Sequence, residues 1–539
     1  MKGRKMPKKI AIYAIIPIII IFLTITGCKS AAIPETSDTK RKATELIVSL
    51  GYDPDGGFDP TTGWGRYGSP LFQSTLLKRD SELNIVNDLA LDYTVSDDGL
   101  VWTVQIRDDV LFSDGKPLTA SDVQYTFDTA SKSGSVIDLN ILESVEAPDK
   151  ETVVFKLKKA QSTFIHLLTS VGIVPEHAHG DGYPENPIGS GPFKLVQWDK
   201  GQQLIVEASP NYYGQDPYFR RITFLFLEED AAFAAAKSKQ VDMAYIPATF
   251  AKQQVEGMRL VSLDSIDNRG IMFPFVKAGG ETEGGHPIGN DVTADPNIRK
   301  AVNVAVDRNA LVEGVLEGFG TPAYTVCDRM PWWNPEAVID DGDHEQAKKI
   351  LDQGGWVKSE DGILEKQGLK ASFTLVYPAS DQVRQALALA ASDMVRPLGI
   401  EIKVEGKSWD EISTMMYSNA VLFGWGSYDP LEMYNLYSSK TAGIDWYNIG
   451  FYSNPTVDQY LDNALLATSE EEAIRQWKKA QWDGNTGFSA LGDAPWAWLV
   501  NLNHLYVVDK NLDIGNIKIQ PHGHGWPVTD NIVEWKWKN

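Results

Sequence analysis

The sequence predicts an α/β fold, and three observations lead to that prediction. The chain has 539 residues, 43% hydrophobic and 23% charged, so it can bury the cores of about three domains or two large lobes. Segments with the apolar pattern of strands recur along it. Segments with the 3.6-residue periodicity of helices lie between them, and this alternation is typical of α/β proteins.

Four segments predict strands. Residues 45–52 are apolar and β-branched, and they run into a loop rich in Gly, Pro and Asp. Residues 100–112 and 151–159 alternate apolar and polar side chains, which indicates half-buried antiparallel strands. Residues 222–227 read "ITFLFL" and predict a fully buried strand.

Helices are predicted between and after these strands. Ser121 is the predicted N-cap of the first one, and Asp122 lies in its first turn, where it favours the helix dipole. Gly318 is predicted to end the helix that begins at Asp295. The predicted helices span residues 121–132, 231–239, 295–318, 381–399, 454–467 and 469–482.

The first residues predict an export signal. A basic segment ending at Lys9 precedes the apolar run 10–26, which is also close to the length of a membrane-spanning anchor. Gly27 and Cys28 follow at once, in the pattern "ITGC" that resembles the lipobox of bacterial lipoproteins. We therefore predict a signal peptide over 1–27, lipidation of Cys28, and a flexible tether over 28–43.

Composition and motif content exclude several functions. The net charge of -22 disfavours nucleic acid as a partner, because phosphate binding needs clustered Lys and Arg. The sequence contains no P-loop, no H-E-x-x-H, no C-x-x-C and no G-x-S-x-G motif, so no cofactor is predicted. Cys327 is expected to be a small buried hydrophobe, with a reactive thiol as the alternative.

Two histidine pairs leave a metal site open as an alternative. His177 and His179, and likewise His522 and His524, have the spacing that allows both rings to face one side of a strand or turn. No third ligand lies close in sequence to either pair. A polar loop is the simpler interpretation, and we predict no metal site.

Residues 98–127 carry a motif that resembles a known family. Asp114-Gly115 is a turn signal and Thr119 to Asp122 begin a helix, so the acids of this stretch have structural roles. The whole stretch, "DGLVWTVQIRDDVLFSDGKPLTASDVQYTF", resembles the signature of the peptide/nickel class (family 5) of extracellular solute-binding proteins. These are the receptors of ATP-binding-cassette (ABC) importers.

Other landmarks of that family follow in order. "GSGPF" lies at residues 189–193, "NYYG" at 211–214, "IRKAVNVAVDR" at 298–308 and "YSNPTVDQYLD" at 452–462. The resemblance covers essentially the whole chain after the tether.

The resemblance implies a two-lobed periplasmic-binding-protein-like fold with an extra subdomain in the first lobe. Lobe 1 is expected over 44–290 with the subdomain at about 85–190, lobe 2 over 291–500, and a return to lobe 1 over 501–539. The lobes would enclose a peptide or a metal chelate and deliver it to the ABC permease without chemical change. The receptor is expected to be a monomer, anchored by lipid on the outer face of the membrane or in the periplasm.

The predicted ligand-binding residues lie in loops rich in aromatic side chains, which bury a large area at low entropic cost. Asp429 lies in "WGSYDP", which resembles the region of the family in which dipeptide receptors place an aspartate against the peptide ammonium. A simple turn at Asp429-Pro430 is the alternative. The predicted set is Trp64, Arg66, Tyr67, Trp332, Trp333, Trp409, Trp425, Tyr428, Asp429 and Tyr434.

The ligand class stays open at the level of sequence. No Arg lies between Leu168 and Pro175 and no His follows Asp429 closely, which argues against a simple nickel–histidine site, although "YDP" is similar to the metal-chelate branch. A chelate with carboxylates would need a cation such as Arg66 or Arg329. The many Trp also suit an oligosaccharide, and paired carboxylates across a cleft would suit a lipid-anchored hydrolase.

Overall fold

The computed structural model describes residues 43–51, 53–54, 56–68, 70–134, 137–523 and 526–538. The predicted signal peptide, Cys28 and the predicted tether up to residue 42 therefore lie outside the described residues. In the described ranges, no helix has the length and apolar character needed to span a membrane.

Strands and helices alternate along the described residues, which confirms the predicted α/β class. In chain order the strands are β1 (Glu45–Ser49), β2 (Leu77–Arg79), β3 (Ile85–Asn87), β4 (Ala90–Val95), β5 (Val101–Ile106), β6 (Leu142–Glu146), β7 (Thr152–Leu157), β8 (Phe193–Asp199), β9 (Gln203–Ala208), β10 (Arg221–Leu225), β11 (Met243–Ile246), β12 (Met258–Leu263), β13 (Asn268–Met272), β14 (Gly320–Pro322), β15 (Val357–Lys358), β16 (Leu364–Lys366), β17 (Leu369–Lys370), β18 (Ser372–Pro378), β19 (Glu401–Lys407), β20 (Ala420–Phe423), β21 (Trp496–Leu502), β22 (His504–Asp509), β23 (Leu512–Asp513) and β24 (Lys536–Trp537).

The α-helices have the same order of numbering. They are α1 (Ala120–Ala130), α2 (Phe164–Ser170), α3 (Glu229–Lys237), α4 (Ala248–Ala251), α5 (Pro296–Ala305), α6 (Arg308–Val315), α7 (His344–Gln353), α8 (Gln382–Val395), α9 (Trp409–Met415), α10 (Leu431–Tyr437), α11 (Pro455–Leu466) and α12 (Glu470–Gln481). Short 3-10 helices lie at Pro60–Thr62, Tyr183–Glu185, Pro335–Ala337, Arg396–Leu398, Ser439–Thr441 and Pro527–Glu534.

The first lobe is built on a sheet of seven described strands in the order β12-β22-β11-β1-β10-β9-β8. β1 pairs in parallel with β10 and β11, while β22 runs antiparallel to β11 and β12. The alternating side chains of β1 and β10, such as Val48 and Phe224, are buried in one apolar core. This central position explains why the sequence of β1 is strongly apolar.

A four-stranded antiparallel sheet, β4-β5-β7-β6, forms a subdomain within the first lobe. Helix α1 packs on it, and Phe127 of the helix meets Phe155 of β7 with ring centroids 4.9 Å apart. The helix begins one residue after Thr119, whose main-chain N–H donates to Asp122 Oδ2 at 2.9 Å. The N-cap is therefore Thr119 and not Ser121, because Asp122 reaches back to Thr119 in a capping box.

The second lobe is built on a sheet of six described strands in the order β14-β21-β13-β20-β18-β19. β18 pairs in parallel with β19 and β20, and β13 runs antiparallel to β20 and β21. The single helix predicted over 295–318 is two helices, α5 and α6. Asp307 caps the second of them through a bond from the Ala310 N–H at 2.8 Å.

The chain crosses between the two sheets at two points. One crossing joins β12 to β13 over residues 264–267, and the other joins β21 to β22 at Asn503. The predicted boundary at residue 290 differs from the first crossing, because β13 pairs with β20 and β21 of the second sheet. The return to the first sheet at Asn503 lies close to the predicted residue 501.

Candidate ligand-binding site

A cavity of about 1260 Å³ lies between the two lobes. Its first-lobe wall includes Arg66, Tyr67, Gln73, Arg79 and His166, and the subdomain adds residues near Asp138. The second-lobe wall is the segment from Trp425 to Tyr447, and the C-terminal segment adds Lys518 and Asp530. Such a cleft between lobes is the usual place for ligand enclosure by hinge closure.

The second-lobe wall is held close to the crossing between the lobes by Gly426. This residue has φ +144, and a Cβ at its position would lie 2.2 Å from the main-chain oxygen of Ile266. A glycine is required here because any side chain would push the loop away from the crossing segment. The loop then leads directly into Asp429 and helix α10.

Two carboxylates of this wall, Asp429 and Glu432, have no cationic partner among the described residues. Asp429 Oδ1 accepts the Leu431 N–H at 2.9 Å, and Glu432 accepts the N–H groups of Gly426 and Ser427 at 3.2 and 3.1 Å. Burial raises the pKa of Asp429 to about 7 and that of Glu432 to about 8. A positively charged group in the cavity would therefore be bound favourably by these two carboxylates.

Arg79 connects the two lobes on the opposite wall. Its Nη2 donates to the main-chain oxygen of Tyr428 at 2.8 Å and lies 2.5 Å from Nδ1 of His166. Its Nη1 donates to the Leu83 oxygen at 3.3 Å. The Arg79 charge acts on Asp429 and lowers its pKa, against the larger effect of burial, although the two side chains form no ion pair.

Aromatic rings cover much of the remaining wall. Arg66 lies over the ring of Tyr67, with its guanidinium carbon 4.5 Å from the ring centroid, and burial raises the pKa of Tyr67. Tyr428 donates from its hydroxyl to the Ile519 oxygen. The aromatic residues that line the cavity are Tyr67, Tyr212, Trp425, Tyr428, Tyr434, Trp446 and Tyr447.

Six of the ten predicted site residues line this cavity. They are Arg66, Tyr67, Trp425, Tyr428, Asp429 and Tyr434. The two interpretations of Asp429 are compatible, because the same carboxylate caps the turn before α10 and faces the cavity. The structure thus brings residues of sequence-distant loops to one cavity.

The other four predicted residues lie outside the cavity lining. Trp64 donates to the Pro70 oxygen at 2.6 Å and packs in the first-lobe core. Trp332 is 5% exposed and lies behind His166, with ring centroids 5.9 Å apart, while Trp333 packs against the same second-lobe core. Trp409 is 42% exposed and stacks on Phe423.

The acids of the motif at residues 98–127 have structural partners. Asp114 accepts from His177 at 2.8 Å and Asp122 caps α1, so neither lies in the cavity wall. This position removes the argument for paired catalytic carboxylates in that stretch. Arg329 pairs with Asp264 at 3.0 Å at the lobe crossing and does not line the cavity either.

His177 and His179 bond to two different carboxylates. His177 bonds to Asp114, whereas His179 bonds to Asp59 at 3.0 Å. His522 bonds to Asp267 at 2.7 Å, and His524 lies outside the described residues. The described part of the chain contains no group of three or more His, Cys, Asp or Glu side chains that could hold a metal ion. Cys327 is fully buried, and burial raises the pKa of its thiol.

Sequence reasoning missed most of the lining, including the polar residues Gln73, Arg79, His166 and Glu432. Gln73 is 1% exposed, and its Nε2 donates to the Phe58 main-chain oxygen and the Tyr183 hydroxyl, while its Oε1 has no hydrogen-bond partner among the residues that the structure describes. Glu432 follows Asp429 by three residues, which places both on one side of a helical turn. That spacing was the one local signal available.

Two α/β lobes, joined by crossing segments and closed around a cavity with polar and aromatic walls, define a binding protein of the periplasmic type. The chain belongs to the bacterial extracellular solute-binding proteins, family 5, whose middle region it matches over residues 84–445. This confirms the predicted family and the two-lobed fold. Among the similar proteins are some that are named for binding an oligopeptide or that are solved with a nickel complex.

Individual relatives match over most of their length. Protein XP55 from Streptomyces lividans is 33% identical over 90% of this chain and 89% of its own. The oligopeptide-binding protein AppA from Bacillus subtilis is 27% identical over 82% of this chain and 83% of its own.

Two solved structures share the fold across 92% of this chain and 99% of theirs. NikZ from Campylobacter jejuni in complex with Ni(L-His) has 26% identity and a TM-score of 0.76. AppA from Bacillus subtilis in complex with a nonapeptide has 25% identity and a TM-score of 0.71. Similar folds thus enclose ligands of very different size and chemistry.

Proposed function

We propose that this protein is the peptide-binding component of an ABC importer. The observation that carries the proposal is the pair of carboxylates, Asp429 and Glu432, which line the cavity and form no ion pair with any residue that the structure describes. A carboxylate that is withdrawn from water needs a positive partner, and the ammonium group of a peptide supplies one. The similarity to AppA, an oligopeptide-binding protein, supports the same ligand class.

The size of the cavity favours a peptide over a small metal chelate. Its volume of about 1260 Å³ exceeds the range of roughly 300–1,000 Å³ that is usual for small-molecule pockets. Of the histidines that the structure describes, only His166 lines it, and Arg79 already occupies Nδ1 of that ring. An imidazole that is engaged in this way offers no free lone pair on that atom to a metal ion.

Each wall has a separate role in this proposal. Asp429, assisted by Glu432, binds the peptide ammonium, and Arg66 is one of the lining cations that can pair with a carboxylate of the ligand. The rings of Tyr67, Trp425 and Tyr434 pack against peptide side chains and need no fixed hydrogen-bond pattern, which suits a receptor for varied sequences. Trp64, Trp332, Trp333 and Trp409 support the walls and do not contact the ligand.

Binding assays with two ligand classes test the proposal. Isothermal titration calorimetry would compare penta-alanine, N-acetyl-penta-alanine and Ni²⁺ with excess L-histidine. We expect the free-amine peptide to bind in the presence of EDTA and the acetylated peptide to bind at least tenfold more weakly. If only the nickel complex binds, and EDTA abolishes that binding, the peptide assignment is refuted.

Two Asp→Asn variants test whether the preference for the free-amine peptide depends on Asp429. Asp429→Asn keeps the oxygen that caps α10 but removes the charge, so it is expected to lose most of the preference for the free amine. Asp445→Asn changes an exposed acid on the rim of the same cavity and is expected to leave affinity unchanged. Equal losses in both variants would indicate a general electrostatic effect and not a specific ammonium site.

The proposal includes the membrane anchor predicted from the sequence. The receptor is exported by residues 1–27, lipidated at Cys28, held on the outer face of the cell membrane by the tether 28–43, and acts as a monomer beside its permease. Cys28→Ser is expected to move the protein from the membrane fraction to the soluble extracellular or periplasmic fraction. Retention of the variant in the membrane fraction would contradict the lipid anchor.

A further inference from the structure

His166 and Arg79 form a hydrogen-bonded pair on the first-lobe wall of the cavity. His166 lies in α2, and Arg79 ends β2, 87 residues earlier in the chain. Nη2 of Arg79 lies 2.5 Å from Nδ1 of His166 and also donates to the Tyr428 oxygen of the second lobe at 2.8 Å. The guanidinium is therefore fixed on both sides of the cleft, and the imidazole is fixed with it.

The chemistry of arginine decides which ring nitrogen carries the proton. A guanidinium has five N–H donors and no acceptor, so Nδ1 of His166 must accept and cannot be protonated. Burial, assisted by the charge of Arg79, lowers the pKa of His166 well below its ordinary value of 6.5. In a neutral imidazole with an unprotonated Nδ1, the proton resides on Nε2.

The remaining ring nitrogen, Nε2, belongs to a residue that lines the ligand space. His166 lines the cavity, and its Nε2 has no hydrogen-bond partner among the described residues. The ring packs against Trp332, which is 5% exposed, with ring centroids 5.9 Å apart. The Nε2–H of a lining residue, held by Arg79 and Trp332, is thus left for an acceptor in the enclosed volume.

We infer that His166 is a specificity-determining residue whose Nε2–H donates to an acceptor oxygen of the ligand, with Arg79 as the positioning residue that fixes this tautomer. The nature of the acceptor, a peptide carbonyl or carboxylate, rests on the proposed function. The same tautomer excludes metal coordination by the ring, because Arg79 occupies the lone pair of Nδ1 and a proton occupies Nε2. The pair therefore favours ligands with an acceptor oxygen over metal complexes that require coordination by an unprotonated imidazole nitrogen.

Nuclear magnetic resonance tests the tautomer without any ligand. Long-range ¹H–¹⁵N spectra of the purified protein with ¹⁵N-labelled histidine are expected to show His166 with a protonated Nε2 and an unprotonated Nδ1 from pH 5.5 to 8. Arg79→Met is expected to abolish this fixed pattern, whereas Arg79→Lys, which still donates, preserves it. A ring protonated at Nδ1, or one that titrates normally in the wild type, would overturn the inference.

Peptide retention tests the donor role. The probe is a tryptic digest of casein, and bound peptides are quantified by native mass spectrometry. His166→Met removes the donor and is expected to weaken retention about threefold to tenfold, as the loss of one hydrogen bond predicts. His166→Gln keeps an amide N–H near the position of Nε2 and is expected to stay within about twofold of the wild type.

A histidine far from the cavity provides the control. His286 stacks on Tyr417 outside the cavity lining, and His286→Gln is expected to leave retention unchanged. Equal retention by wild type and His166→Met would refute the donor role. If the wild type retains no peptide, the proposed function is refuted. The long-range ¹H–¹⁵N spectrum still tests the tautomer of His166 in that case. Uptake of Ni²⁺ with L-histidine, with loss of the Nε2 proton, would overturn both.

Discussion

The affinity for a peptide ammonium should depend steeply on pH, because the carboxylate that meets it is half protonated near neutrality. Burial raises the pKa of Asp429 from 3.8 to about 7. An ammonium group binds the ionised form, so affinity rises as pH rises through this pKa. Glu432 acts in the same direction, since burial and the neighbouring Asp429 charge raise its pKa to about 8.

The size of the effect follows from the ionised fraction of Asp429. With a pKa of about 7, that fraction is about 3% at pH 5.5 and about half at pH 7. A peptide amine, with a pKa of roughly 7.7–8.0, stays mostly protonated over this interval. The peptide is therefore expected to bind about 14-fold more tightly at pH 7 than at pH 5.5, a difference of about 1.6 kcal/mol.

Calorimetry of penta-alanine at pH 5.5, 6.2 and 7.0 measures this dependence, and N-acetyl-penta-alanine is the control without a charge. Asp429→Asn should flatten the dependence. The folding stability of the ligand-free protein has the opposite pH dependence. A carboxyl with a raised pKa contributes stability that is fully present below pH 3.8 and is lost as pH rises through about 7. An affinity for the free amine that changes less than twofold between pH 5.5 and 7.0 would refute the role given to Asp429.

Three further perturbations test other parts of the structure. Ser162→Ala removes the 2.7 Å hydrogen bond that joins the first-lobe subdomain to the Ala464 oxygen of α11 in the second lobe. The variant is expected to bind peptide with a Kd about twofold to tenfold higher and to have a larger radius of gyration by X-ray scattering. Gly189→Ala places a Cβ 2.0 Å from the Phe72 oxygen and is expected to lower stability by about 1–3 kcal/mol in urea titration, whereas Gly180→Ala, in open space, should have no effect. Asp267→Ala removes the carboxylate that pairs with the buried Arg269 and is expected to lower the free energy of unfolding by about 3–5 kcal/mol in the same assay. A loss below about 1 kcal/mol would contradict this.

The fold class was predictable because its signals are local. The alternation at residues 100–112 and 151–159 reappears as β5 and β7, and the apolar run at 222–227 overlaps β10. The lobe boundary was not predictable in the same way. The residues of β13 read as a strand in either lobe, and only their pairing with β20 and β21, more than 140 residues away in sequence, assigns them to the second sheet.

The site was predictable where one loop carries several wall residues. Trp425, Tyr428, Asp429 and Tyr434 lie within ten residues of one another, so placing that loop placed them all. Tryptophan content was a poor guide, because a large ring is equally suited to a core, as Trp332 shows. The contacts of Arg79 with His166 and Tyr428 form only when distant segments fold together, so no local spacing in the sequence predicts them.

The central claim is that an intact peptide is enclosed between the lobes and released unchanged. Native mass spectrometry of the purified protein, mixed with a tryptic digest of casein in the presence of EDTA, tests this most directly. The account predicts one-to-one complexes whose added masses equal those of input peptides and persist after incubation. Complexes that vanish with EDTA and return only with Ni²⁺ and L-histidine, or new masses from cleaved peptides, would contradict it.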